Sequence, residues 1–200
     1  KVTLLLGNKP MIVHAVDLFL RLRISPIVVV VGFAKESVKK LIMGDAMPAG
    51  RQVIFAEQKK RLGTAHAIRT ALKVLPEGIS DVLVIQGDDS AFYKELVVQK
   101  LISLHKENNN SLTFLTVELG NPEGLGRIIR DKKGQVIAIV EEKDATDQQL
   151  KIKEINPACY VFNLAFLRKY LPKVAKSPVT GEDYFVSLIE LAIKNKEKLG

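Results

Sequence analysis

Ile27-Val28-Val29-Val30-Val31-Gly32 is the stretch on which the fold turns. Five consecutive branched residues with no polar alternation predict a strand buried on both faces, the pattern of a parallel sheet covered by helices. Asp81-Val82-Leu83-Val84-Ile85 repeats the pattern and runs directly into Gln86-Gly87-Asp88. Outward from these strands, apolar spacing predicts helices from Pro10 to Leu22, about Lys35 to Met43, about Ala65 to Leu75 with Thr64 as N-cap, and about Lys94 to His105. Gln52 to Ala56 and Leu112 to Val117 supply two further strands. This alternation predicts an α/β fold, a Rossmann-like doubly wound and mainly parallel sheet with ligands at the carboxyl ends of its strands.

From Gly120 the pattern changes. Arg127 to Arg130, the turn Asp131 to Gly134 and Val136 to Val140 predict a β-hairpin insertion. A short helix near Ala145 to Lys151, a strand from Ala158 to Phe162, and helices near Leu164 to Tyr170 and Asp183 to Lys196 close the chain. With no internal repeat or low-complexity linker, residues 1–200 are expected to form one domain.

Composition narrows the function. The chain has 200 residues, 47% of them hydrophobic, enough for a buried core and incompatible with a disordered chain. Thirty Lys and Arg against 22 Asp and Glu give a net charge of +8, which suits an anionic partner. Aromatics make up only 6% and do not interleave with the basic residues, so no nucleic acid partner is expected. No apolar run approaches the roughly 20 residues of a membrane span, so no membrane partner is expected either. A single cysteine, Cys159, forms no internal disulfide, and a reducing, cytoplasmic setting is expected. Because the chain opens at Lys1, without methionine and beside the apolar Val2 to Leu6 run, the natural polypeptide is expected to begin earlier.

Several positions are suited to chemistry. Asp88, directly after a buried strand, reads either as an acid holding a divalent cation against phosphates or as a cap in a strand-to-helix turn, and Asp89 reads the same two ways. Gln58 and Leu62-Gly63-Thr64 precede a helix N-terminus, where backbone N–H groups favour an anion or a carbonyl-rich base. Gly124-Leu125-Gly126 permits close ligand approach or serves as a tight turn. Glu141-Glu142-Lys143-Asp144 and Asn156 lie at strand ends, as sugar-hydroxyl partners or as a solvated turn. His14, His66 and His105 have no zinc-ligand spacing, and His14 and His66 read as helix-face packing.

Taken in order, Lys1-Val2, Gly7-Asn8-Lys9-Pro10-Met11, the run from Glu57 to Ala67, Gly87-Asp88, Gly124 to Ile128, Ile139 to Ala145 and Glu154-Ile155-Asn156 resemble the sugar-1-phosphate nucleotidyltransferases. The likeness is greatest to the uridylyltransferase domain of the bifunctional enzymes that make UDP-N-acetylglucosamine. The resemblance implies transfer of UMP from UTP to N-acetylglucosamine 1-phosphate, with release of pyrophosphate and Mg2+ as cofactor. It implies that Lys1 contacts phosphate, that Gln58, Gly63 and Thr64 surround the uracil, and that Gln86, Gly87 and Asp88 hold the nucleotide, with Asp88 as a magnesium ligand. Gly126, Glu141 and Asn156 are implied as contacts to the acetylated amino sugar. The family's glycine-rich loop is expected before Lys1 and a second metal ligand beyond Gly200, so these 200 residues alone are expected to catalyse poorly. The alternatives are another hexose-1-phosphate uridylyl- or thymidylyltransferase, and a non-catalytic nucleotide-sugar sensor. The oligomeric state stays open.

Overall fold

The computed structural model describes residues 1–44, 52–88, 93–140, 142, 145–177 and 180–200. In chain order the elements are β1 (Leu5–Leu6), β2 (Lys9–Pro10), α1 (Met11–Arg21), β3 (Ile27–Val31), α2 (Lys35–Ile42), β4 (Val53–Glu57), α3 (Thr64–Leu72), β5 (Asp81–Ile85) and α4 (Glu95–Glu107). They continue with β6 (Leu112–Phe114), β7 (Val117–Glu118), β8 (Arg127–Arg130), β9 (Val136–Val140), α5 (Asp147–Leu150), β10 (Glu154–Ile155), β11 (Cys159–Asn163), α6 (Leu164–Tyr170) and α7 (Ser187–Lys194). The chain divides into two compact units, one of residues 1–79, 85–100 and 173–185, the other of residues 80–84, 101–172 and 186–200.

In the first unit the five branched residues of β3 pair in parallel with β4, Ile27 opposite Val53 and Val31 opposite Glu57. Ile27, Val29 and Val31 are buried with Ile12, Ala15 and Val16 of α1 and Val38 and Ile42 of α2. Burying each such side chain is worth about 1.5–3 kcal/mol, and an acid in place of Val29 would orphan a charge at the centre of this core. Pro10, which has no N–H, stands at the threshold of α1 with extended backbone. The next two N–H groups, of Met11 and Ile12, donate to the carbonyls of Leu4 and Val2 at 3.0 Å each. Residues 1–4 therefore satisfy the first turn of α1 and are held there by it.

In the second unit β11 lies between β5 and β6 and runs antiparallel to β6. A four-stranded sheet ordered β7-β10-β8-β9 includes the expected hairpin, with Ile128 opposite Ile139. Phe114, Tyr160, Phe162, Phe166 and Tyr170 form a row of ring contacts with successive centroids 4.9–6.3 Å apart. Asn163 ends β11 and starts α6, its Oδ1 accepting from the N–H groups of Ala165 and Phe166. Beneath this core His105, 2% exposed, bridges the hydroxyl of Thr113 and the carboxylate of Asp81.

The α/β, Rossmann-like class is as expected, and β3, β5 and α6 match their expected limits. Three local expectations are corrected. The strand expected from Leu112 to Val117 stops at Phe114, and Val117–Glu118 joins the other sheet beside β10. An extended apolar run reads the same whether or not it changes sheets. Thr64 is the first residue of α3, and its N-cap is Gly63. The last helix begins at Ser187 because the Asp183 backbone is bonded to Leu62 and Ala65 and is unavailable for a helical turn. Among the described residues no helix is long and apolar enough to cross a membrane.

Candidate active site

At the carboxyl end of β5, Lys1 Nζ lies 2.8 Å from Asp88 Oδ2, with the lysine side chain 70% exposed and the aspartate 21%. The pair exists because residues 1–4 are pinned over α1. Gly87 lies close against α1 and the first residues, since a Cβ there would stand 3.0 Å from Ile12 Cδ1 and 3.7 Å from Val2 Cγ1. Gln86, half-buried, links β5 to Gly87. Asp88 is a hard-oxygen donor suited to magnesium, which takes one or two carboxylates and completes its shell with water and substrate phosphates. Among the described residues no group of three or more His, Cys, Asp or Glu is gathered around a metal-sized space. Asp88 thus fits as one carboxylate ligand to such an ion. Asp89 lies outside the described residues.

The second constellation follows β4. Gln58 extends the parallel register by donating its backbone N–H to the Val31 carbonyl at 2.7 Å. Its side-chain Nε2 lies 3.0 Å from the Gly63 carbonyl and 2.9 Å from His66 Nδ1. Gly63 has φ +103°, open to glycine, and a Cβ there would lie 2.6 Å from the Asp183 nitrogen. Asp183 in turn donates its N–H to the Leu62 carbonyl at 2.7 Å, accepts the Ala65 N–H at 2.9 Å, and pairs its carboxylate with Arg69. The Thr64 hydroxyl accepts from the Phe185 N–H at 3.1 Å. The Ala65 N–H, one of the donors expected to face a ligand, is thus taken by the chain itself.

Gln58 also lines an open cleft of about 830 Å³ with Gly32, Phe33, Glu57, Lys59 and Arg61. Phe33 is 86% exposed, and the Arg61 guanidinium carbon lies 5.7 Å from its ring centroid. Lys35 bonds Glu57 at 2.8 Å and holds that carboxyl below the usual carboxylate range. Burial, with Arg69 and Lys73 nearby, pushes the His66 imidazole below its ordinary value and keeps it neutral near pH 7. A flat apolar ring beside Lys59 and Arg61 suits a planar group attached to an anion.

The third constellation belongs to the other unit. Ile155 of β10 pairs with Arg127 of β8, and Asn156 follows the one while Gly126 precedes the other in the chain. Asn156 Oδ1 accepts from the Ala158 N–H at 2.7 Å, while its buried Nδ2 has no hydrogen-bond partner among the described residues. Such an orphaned donor costs about 1–3 kcal/mol and suits a ligand oxygen. Arg127, 3% exposed, directs its guanidinium to the carbonyls of Pro122 and Leu125, with Glu142 3.1 Å away. Glu141, Lys143 and Asp144 lie outside the described residues.

The expected residues therefore fall in separate places: Lys1 with Gln86, Gly87 and Asp88, then Gln58 with Gly63 and Thr64, and in the second unit Gly126 and Asn156 next to the paired Arg127 and Ile155. Sequence reading missed His66, taken as packing, and Asp183, taken as the start of a helix. The signal for His66 was present, because Gln58 and His66 flank Gly63-Thr64 at the entry to α3.

The family model of the nucleotidyl transferases matches residues 1–200. The chain is 40% identical over 200 residues to the bifunctional protein GlmU of Caldicellulosiruptor saccharolyticus, covering all of this chain and 42% of that protein. It thus spans less than half the length of that relative. Among solved structures it superposes with a TM-score of 0.80 on a Bacillus anthracis protein assigned as a glucose-1-phosphate thymidylyltransferase, at 20% identity, over 100% of this chain and 76% of the other. An apo UDP-glucose pyrophosphorylase gives 0.78 at 18% identity, over 99% and 80% of the two chains. These two likenesses bear on the fold.

Proposed function

Because this chain belongs to the nucleotidyl transferase family, we propose that the protein carrying it transfers UMP from UTP to N-acetylglucosamine 1-phosphate and releases pyrophosphate. The observation that carries this reading is the Lys1–Asp88 pair at the carboxyl end of β5, 2.8 Å apart and open to solvent on the lysine side. The 40% identity to a GlmU protein over the whole chain supports the choice of substrates.

In this reaction a phosphate oxygen of the sugar 1-phosphate attacks the α-phosphorus in line, and the bond to pyrophosphate breaks. The nucleophile is already ionised, so no general base is required. What the protein must overcome is repulsion between two anions and the charge on the five-coordinate phosphorus. Lys1 supplies an exposed ammonium for the phosphates, and Asp88 holds that ammonium at the strand end. Magnesium, when bound, supplies further positive charge against the phosphates. Gln58 and the Gly63 turn hold the base, while Gly126, Glu141 and Asn156 receive the acetylated amino sugar, the orphaned Asn156 Nδ2 donating to one of its oxygens.

The competing reading is a hexose-1-phosphate uridylyl- or thymidylyltransferase, since two proteins sharing this fold are named for glucose-1-phosphate thymidylyl transfer and UDP-glucose pyrophosphorolysis. Assays of the full-length protein with N-acetylglucosamine 1-phosphate and glucose 1-phosphate, each with UTP and dTTP, separate the two. A kcat/KM for N-acetylglucosamine 1-phosphate no higher than for glucose 1-phosphate rejects the sugar assignment, and absence of turnover with every pair favours a nucleotide-sugar sensor.

A further inference from the structure

We infer that His66 is a positioning residue that fixes which end of the Gln58 amide meets the nucleotide base, and so selects bases carrying a ring N–H donor. The inference rests on the nucleotide reading of Gln58 given above and deepens it.

A carboxamide has two N–H donors on one end and an acceptor oxygen on the other, in nearly the same shape. A single glutamine therefore reads either a donor or an acceptor unless something holds it. Here Nε2 lies 3.0 Å from the Gly63 carbonyl and 2.9 Å from His66 Nδ1, which accepts when the imidazole proton sits on Nε2. Turning the amide over would set Oε1 against a carbonyl oxygen and an imidazole lone pair. The lock requires His66 with its proton on Nε2, leaving Nδ1 to accept. The charged groups near this imidazole are Arg69 and Lys73 of its own helix, both cationic, with Asp183 engaged by Arg69. All three favour the neutral ring or leave it unchanged.

With both amide hydrogens committed, Oε1 is the end that Gln58 has to offer, and among the described residues no group occupies it. Gln58 lines the cleft beside Phe33 and Arg61. An acceptor fixed there pairs with the imide N–H of uracil or thymine. Cytosine and adenine carry a lone pair on the corresponding ring nitrogen and meet the oxygen with repulsion. A mismatch of this kind leaves a polar group unpaired and costs about tenfold or more in affinity.

The test is equilibrium binding of UTP and CTP to the full-length protein and to its His66→Phe and His66→Gln variants. The first keeps the ring and removes the acceptor, and the second restores an acceptor. The wild type is expected to prefer UTP, His66→Phe to lose about tenfold or more of that preference, and His66→Gln to regain most of it. A His66→Phe protein that weakens both nucleotides equally overturns the inference, as does a wild type that binds the two alike. Imidazole nitrogen shifts of His66 in the wild type give an arm independent of any variant. A proton found on Nδ1 overturns the lock. Turnover with N-acetylglucosamine 1-phosphate is measured separately, so failure of the transferase reading is distinct from failure of base selection.

Discussion

Glu142 and Arg127 close a clamp on the loop before β8. One carboxylate oxygen, Oε2, accepts the Gly124 N–H at 2.7 Å and lies 3.1 Å from the Arg127 guanidinium, which itself holds the carbonyls of Pro122 and Leu125. Arg127→Ala leaves three acceptors without their donor. A loss of about 2–4 kcal/mol is expected, short of the full cost of orphaning a buried charge because the Glu142 side chain is 33% exposed. Urea unfolding measures it, and a loss under about 1 kcal/mol would show that the clamp contributes little.

Gly63→Ala places a methyl group against the Asp183 backbone at a φ of +103°. Neither the strain, about 1–3 kcal/mol, nor the overlap has room to relax, since Asp183 is bonded to Leu62 and Ala65 on either side. The variant is expected to melt several degrees lower and to bind nucleotide poorly. Calorimetry on folded protein checks both.

Asp88→Asn keeps the size of the side chain and removes the charge that meets Lys1. In the full-length protein kcat is expected to fall by about 10²–10³ or more, as when one preorganised electrostatic partner is removed elsewhere. Circular dichroism should be unchanged. Near-normal turnover would remove Asp88 from the mechanism.

Acid should act through Glu154. Its carboxyl is held below the ordinary value first by the hydrogen bond from Arg130, whose Nε lies 2.8 Å from Oε2. A depressed folded pKa means the stabilisation is complete above the ordinary carboxylate range and disappears as pH falls through the lowered value. Glu154→Gln is expected to flatten the acid limb of the stability profile. Parallel profiles for variant and wild type would contradict this.

Alkali should act through Cys159. Burial pushes the thiol from 9.0 up to about 12, so the folded protein keeps a proton that the unfolded chain has lost. The contribution is intact below pH 9 and declines by about 1.4 kcal/mol per pH unit towards 12, a slope that Cys159→Ala should remove. In native protein near pH 7.5 the thiol is expected to resist alkylation, and to react once denaturant exposes it.

How legible this molecule was in its sequence depends on the distance over which each feature is decided. The strand Ile27–Val31 and the helix Leu164–Tyr170 were readable because their apolar patterns are local. Asp88 was singled out by its place after a buried strand and Lys1 by family likeness, and their approach depends on carbonyls of Val2 and Leu4 bonding α1, which no local pattern announces. The partnership of Gly63 with Asp183 spans 120 residues of chain, so a motif reader sees a flexible glycine where the fold has a steric requirement. Likewise His66 looked like packing until the amide it faces was known.

The first unit is assembled from residues 1–79, 85–100 and 173–185, and the Asp183 backbone is stitched to Leu62 and Ala65. On the ribosome, at about 5–20 residues per second, Asp183 follows Gly63 by a delay on the order of ten seconds. Throughout that interval the turn carrying Gly63 has nothing to rest against, and the base-binding corner stays open while most of the chain is already made. A pulse of protease on nascent chains should therefore cut between Gln58 and Arg69 until residue 185 has emerged.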